Sequence, residues 1–180
     1  MIDASMATLI RQVEAPWARI FERLDWSAFG AQYRLDRMRP TDLEAVYTIE
    51  RQTYRDPWPR YTFLHELLDN PKAVLRVIRT RTPPVRLVGY FTLRLEKHLV
   101  HLTNITLHPE YRDRGLGHYA LAYAMYLAWT LGAQTMYLEV RVHNERAIHL
   151  YRKFGFRTAR IIPHYYPDGE DALRMEAPLT

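Results

Sequence analysis

Arg112-Asp113-Arg114-Gly115-Leu116-Gly117 stands between a strand-like run that ends at Leu107 and a mostly apolar helical run that reaches Leu131. A loop that leaves a strand and opens a helix presents free backbone N–H groups and the positive end of the helix dipole, which together suit phosphate. Gly115 and Gly117 let the backbone come close to a ligand, and Arg112 and Arg114 can add charge-assisted contacts. The segment lacks the G-x-G-x-x-G of dinucleotide folds, and no Lys-Ser or Lys-Thr follows its glycines as in the nucleotide-hydrolysing loops. An ordinary tight turn explains two glycines near a helix start equally well, so the surrounding chain has to decide.

Outward from the loop, Gly132 stops the helix and Thr135 to Val140 reads as a strand, which makes a β-loop-α-β crossover. Upstream, Ala73 to Arg79, Arg86 to Leu95 and Leu99 to Leu107 alternate as strands of an antiparallel meander, with turns at Thr82-Pro83-Pro84 and Glu96-Lys97-His98. Downstream, Asn144 caps a helix that runs to Phe154 and ends at Gly155, and Phe156 to Ile162 and Ala172 to Glu176 close as strands. Tyr33 to Met38 reads as a first strand. Thr41-Asp42-Leu43-Glu44 has the capping-box form and starts a helix towards Tyr54. Arg55-Asp56-Pro57-Trp58-Pro59 breaks that helix, and a short second one follows from Phe63 to Leu68.

Met6, Leu9, Ile10, Val13, Trp17, Ile20, Phe21 and Leu24 recur at helical spacing, so residues 5–24 read as one amphipathic helix. Its apolar stripe suits packing on its own domain or pairing with a partner, a second copy included. The expected division is an amphipathic extension over 1–32 and one domain of mixed α/β (α+β) class over 33–180, with no internal repeat.

The chain has 180 residues, 48% of them hydrophobic and 25% charged, which is an ordinary globular composition. It has no cysteine, which excludes disulfides, thiolate zinc sites and a cysteine nucleophile, and suits a reducing cytoplasm, the expected location. The longest apolar run, Tyr119 to Trp129, is shorter than the roughly 18 to 20 residues that cross a bilayer, so no membrane association is expected. A formal charge of +5 suits a polyanionic ligand. The arginines are spread along the whole chain, which fits a phosphorylated cofactor better than nucleic acid. His98 and His101 lie three apart at the start of a strand, a spacing that points them to opposite faces, and no metal is expected.

Beyond the loop, Asn104-Ile105-Thr106-Leu107, Leu138-Glu139-Val140-Arg141, Asn144, Ala147, Leu150-Tyr151, Gly155-Phe156, Tyr165-Tyr166, Glu170-Asp171-Ala172 and Met175 fall in a recognisable order. With Arg112 to Gly117 as R-x-x-G-x-G, they resemble the GNAT superfamily of N-acetyltransferases and, within it, the RimI branch. The likeness runs from Arg34 to the end.

The resemblance implies a central, mostly antiparallel sheet with flanking helices and acetyl-CoA as cosubstrate, bound across the β-loop-α-β crossover. Ile105, Thr106 and Leu107 match the strand that splays from its neighbour and pairs with the pantetheine arm, and a backbone N–H near Leu107 polarises the thioester carbonyl. Arg112, Asp113, Arg114, Gly115, Leu116, Gly117 and His118 match the pyrophosphate loop, and Asn144 a cofactor contact that can also cap its helix. Glu139 matches the general base. Tyr151 matches the tyrosine that touches the cofactor and protonates the departing thiolate. Tyr165 and Tyr166 match tyrosines over the acceptor.

The implied reaction is direct transfer to an amine in a ternary complex, the N-terminal α-amine of a protein, a ribosomal protein among the candidates. Lysine, a small-molecule amine, or a non-catalytic module that binds acyl-CoA or a partner are the alternatives. Two departures stand out: Ile162-Pro163-His164 occupies a place where the branch often has arginine, and the first 30 residues have no counterpart in its shorter members.

Overall fold

The computed structural model describes residues 8–180. Its centre is a seven-stranded sheet in the order β1-β2-β3-β4-β5-β7-β6. The strands are β1 (Tyr33–Arg37), β2 (Ala73–Thr80), β3 (Leu87–Glu96), β4 (Leu99–Leu107), β5 (Thr135–Arg141), β6 (Arg157–Ile162) and β7 (Ala172–Pro178). β4 and β5 run parallel, and every other neighbouring pair is antiparallel. The strands lie within one or two residues of the sequence expectation, because the alternation and the turn residues on which it rests are local.

The helices are α1 (Pro16–Arg23), α2 (Trp26–Gln32), α3 (Leu43–Thr53), α4 (Arg60–Leu68), α5 (Leu116–Thr130) and α6 (Glu145–Lys153). α5 is apolar nearly all round, and Ala120, Leu121, Ala124, Met125 and Ala128 are buried, as expected of a helix laid across a sheet. It shares one cluster with Phe91, Leu93, Met136 and Leu138 of the sheet and with Ile10, Trp17 and Phe21. A second cluster joins Val46 and Ile49 of α3 and Phe63 of α4 to Val77 and Tyr90. β3 is therefore buried on both faces.

Three expectations are corrected. The helix read over 5–24 is interrupted: residues 8–10 are helical, 11–12 form a turn, and α1 begins only at Pro16. The proline ring disfavours the helical conformation for Ala15, which is extended at φ −62°, ψ 145°. Residues 5–7, with Met6, lie outside the described residues.

The capping box also moves. Pro40 starts a 3-10 turn, and the Asp42 carboxylate, in place of Thr41 and Glu44, accepts from the Arg39 N–H at 2.8 Å. Finally, His98 lies in the turn before β4, so it and His101 do not share a strand. α2 was not anticipated, although its signal was present in Asp25, whose carboxylate caps it by accepting from Ala28 N–H at 2.8 Å.

Candidate active site

β4 and β5 are paired only at Leu99–Thr135, Val100–Met136 and His101–Tyr137. Beyond His101 they part, while β4 stays paired with β3 as far as Gly89–Leu107. His108 N–H donates to Val88 carbonyl at 2.8 Å. N–H groups alternate sides along a strand, so Thr106 N–H also faces β3, whereas those of Ile105 and Leu107 face the gap that β5 has left. The bulge in β4 falls at Thr103, where the register slips between Thr92–Asn104 and Leu93–Leu102.

A cavity of about 880 Å³ opens at this fork, a size within the roughly 300–1,000 Å³ usual for ligand sites. Ile105, Thr106, Leu107, Arg112, Asp113, Gly115, Gly117, His118, Glu139, Asn144, Tyr151 and Tyr166 all line it. Three of the residues singled out in the sequence do not. Leu116 is buried among Phe29, Ile78, Val88 and Ala120, because the first inward position of α5 belongs to the core. Arg114 lies over the Tyr111 ring at 5.1 Å. Tyr165 is half exposed and packs edge-on against Tyr166, with ring centroids 5.0 Å apart.

The loop fits an anion. Gly115 caps α5 in the left-handed region at φ 79°, a conformation that costs an L-residue roughly 1 kcal/mol. The first two N–H groups of α5, of Leu116 and Gly117, have no partner within the helix, whereas His118 N–H donates to the Gly115 carbonyl at 2.9 Å. A Cβ on Gly117 would meet only Leu150 Cδ2 at 3.5 Å, an ordinary contact, so the space there is kept open on the cavity side. Arg112 is partly committed elsewhere: its Nε donates to the Leu107 carbonyl at 3.1 Å and Nη2 to Thr53 Oγ1 at 2.8 Å, which braces the end of β4.

Further basic groups come from α6, where Arg146, His149 and Lys153 also line the cavity. They were missed in the sequence, although i, i+3, i+7 spacing puts them on one helix face. Asn144 Oδ1 caps this helix by accepting from Ala147 N–H at 3.2 Å.

At the fork, Glu139 Oε2 lies 2.6 Å from His101 Nε2. Burial raises the Glu139 carboxyl, but the His101 hydrogen bond and charge, with Arg174 and Arg160, outweigh it and hold the group below its ordinary 4.5. Tyr151 is buried, and that burial, with Tyr54 and Tyr166 nearby, pushes its phenol well above the ordinary 10. Tyr166 is raised likewise by burial and Tyr165, against the Arg141 guanidinium stacked 3.9 Å over its ring. Arg141 donates to Asp168 at 2.9 Å and to Glu170 at 2.7 Å, which ties the β6–β7 loop to the end of β5. Asp168 also accepts from Arg55 at 3.2 Å and so joins the α3–α4 elbow to the same clasp.

The floor is a polar network that was not foreseen. Tyr54 hydroxyl donates to Asn104 Oδ1 at 2.8 Å and lies 2.9 Å from Thr106 Oγ1, and burial pushes its phenol up to about 12. Glu50, beneath, accepts from Tyr90 hydroxyl and, at 2.9 Å, from Trp58 N–H, which fixes the elbow. Burial raises its carboxyl more than these bonds lower it. Among the described residues, no group of three His, Asp or Glu is placed to hold a metal ion, and no helix is long and apolar enough to cross a membrane.

Comparison with known proteins agrees with this geometry. An N-alpha-acetyltransferase of Sulfurisphaera tokodaii is 34% identical over 163 residues, covering 83% of this chain and 95% of the relative. The [ribosomal protein bS18]-alanine N-acetyltransferase of Escherichia coli K12 is 32% identical over 149 residues, covering 81% and 97%. The crystal structure of the ribosomal-protein-S18-alanine N-acetyltransferase from Escherichia coli superposes with a TM-score of 0.75 at 30% identity, covering 82% of this chain and 94% of that one. Residues 43–156, which span the elbow, the fork, the phosphate loop and both Glu139 and Tyr151, match the acetyltransferase (GNAT) family. This match and these relatives, in a chain whose β4–β5 pair forks beside a helix N-terminus, show that the chain belongs to the GNAT family.

Proposed function

We infer that the protein transfers the acetyl group of acetyl-CoA to the N-terminal α-amine of a protein. One observation carries this: a single cavity at the parted strands is lined by the phosphate loop, Glu139, Tyr151 and Tyr166 together. The activities of the relatives, an N-alpha-acetyltransferase and a ribosomal protein bS18-alanine N-acetyltransferase, support the choice of acceptor. A chain without cysteine and a ribosomal-protein acceptor both suit a cytoplasmic location.

The residues present fit acetyl-CoA. The N–H groups of Ile105 and Leu107 face the gap and can pair with an extended arm, while the Leu107 carbonyl is taken by Arg112 Nε. The α5 N-terminus receives the pyrophosphate, and the basic face of Arg146, His149 and Lys153 lies beside it. When bound, the cosubstrate supplies an activated acetyl thioester. Leu107 N–H faces the fork, where a donor stabilises charge that develops on the carbonyl oxygen. Glu139, ionised at neutral pH, takes the proton of the attacking amine directly or through water.

An α-amine near pKa 8 is partly neutral at pH 7, whereas a lysine near 10.4 is not, so one carboxylate suffices for the former. Tyr151, whose phenol burial pushes well above its ordinary range, holds its proton at neutral pH and stands as the donor to the departing sulfur. Tyr166, clamped under Arg141, walls the acceptor side, and Tyr165 flanks it.

The test is release of CoA thiol from acetyl-CoA with two peptides, one with a free N-terminal Ala, the other N-blocked and carrying a lysine. Release with the free N-terminus alone is expected. Release with the blocked peptide alone would move the acceptor to lysine, and silence with both would remove N-terminal acetylation.

A further inference from the structure

The two oxygens of the Glu139 carboxylate are held differently. Oε2 makes the 2.6 Å contact with His101 Nε2, while Oε1 lies 3.8 Å from Arg174 Nη1, too far for a hydrogen bond. Both side chains are mostly buried, His101 18% and Glu139 10% exposed, so neither hydrogen bond partner is easily replaced by water. His101 occupies the last paired position of β4 against β5, and its ring stacks on the opposite Tyr137 at 4.4 Å and 15°. Arg174, in register with Glu139 on β7, also lies over the Tyr137 ring at 3.9 Å. The imidazole plane is therefore set by its stack on Tyr137 at the point where the strands part.

We propose that His101 is a positioning residue for acetyl transfer, which holds Oε2 of Glu139 through its Nε2–H and leaves Oε1 directed to the incoming amine. The proposal rests on Glu139 as the base. A carboxylate has no proton to give, so the hydrogen bond assigns Nε2 as the protonated nitrogen. A buried carboxylate without that donor would rotate and favour its protonated form, because burial works against charge. The other groups around Glu139 are Arg174 on β7, Arg160 on β6, Tyr165 and Tyr166 in the β6–β7 loop, and Tyr137 on its own strand. None of these has a recorded hydrogen bond to either oxygen, so His101 is the one orienting donor among the described residues. In the transfer step the amine proton moves to Glu139, the new N–C bond forms as the C–S bond breaks, the departing CoA thiolate takes the Tyr151 proton, and His101 retains its own proton throughout.

Two variants separate the hydrogen bond from the packing. His101→Phe keeps an aromatic ring on Tyr137 and deletes the donor; His101→Gln keeps an amide N–H donor and deletes the stack. The readout is the pH dependence of kcat at saturating peptide, which reports groups in the bound complex, with Glu139→Gln measured beside them. The expected result is that His101→Phe loses kcat by about 10-fold or more and moves the acidic limb towards neutral pH, while His101→Gln retains most activity and the wild-type limb. An active His101→Phe with an impaired His101→Gln would show that the ring serves packing alone, and the proposal would be overturned. If Glu139→Gln is itself fully active, the base assignment fails, and that failure is distinct from a failure at His101.

Discussion

Glu139 and Tyr151 share one cavity and are shifted in opposite directions, each towards the form that its proposed role requires. Glu139 has its folded pKa depressed, so its charged form stabilises the fold above its ordinary 4.5, and that contribution disappears as the pH falls through the lowered value. In its proposed role Glu139 is ionised throughout the neutral range and sets the acidic limb of kcat, and a further rise of activity towards about pH 8 would belong to the amine itself. Tyr151 is raised, so no alkaline limb arises from it. Glu139→Gln is expected to lower kcat by about 10²-fold or more, and Tyr151→Phe by a comparable factor, with KM for acetyl-CoA little changed, as befits groups that act on protons. Full activity of Glu139→Gln at pH 7 would remove the base, and an alkaline limb in wild-type kcat that Tyr151→Phe abolishes would show a phenol that ionises.

At the scale of elements, legibility followed range. The meander, the β-loop-α-β crossover and the Asn144 cap depend on neighbours within a few residues, and all lie where the sequence pattern puts them. The fork of β4 from β5 was expected from the resemblance, and nothing in the alternation of either strand marks where pairing ends. The His101–Glu139 contact spans 38 positions and depends on register across a crossover, which no local pattern encodes. α6 is the instructive middle case. Its span, its Asn144 cap and Tyr151 were read, while the basic face of Arg146, His149 and Lys153 was not. Arg146 is paired with Asp113 of the phosphate loop at 2.8 Å, an exposed contact that a phosphate can replace. Arg146→Ala combined with Lys153→Ala should raise KM for acetyl-CoA several-fold with kcat nearly unchanged, and the effect should shrink at high salt. An unchanged KM at low ionic strength would take α6 out of cofactor binding.

For the whole molecule the consequential contact is the one that ties the N-terminal extension to the other end of the chain. Trp17 of α1 is fully buried, packs against Phe21 and Trp129, and donates from Nε1 to the Leu179 carbonyl at 3.2 Å across 162 positions. Ile10, Ala18 and Phe21 enter the same cluster as Met125 of α5 and Met136 of β5, so most of the described part of the apolar stripe packs within the chain, with Leu9 exposed. α5 in turn carries the phosphate loop at its N-terminus, which places the extension behind the helix that the site depends on. Trp17→Ala removes a buried ring and orphans a carbonyl, and should cost about 3–5 kcal/mol of unfolding free energy. Because Trp17 does not line the cavity, kcat and KM should be unchanged at temperatures where the variant is folded. Urea unfolding followed by both tryptophan fluorescence and far-ultraviolet dichroism provides the check. One transition, shifted to lower urea in the variant and coincident by both probes, is the expected result, since the extension and the sheet share a core. Two separated transitions in the wild-type protein would mean that the extension comes away first, and the stabilisation assigned to Trp17 would then belong to docking of the extension and not to the sheet it covers.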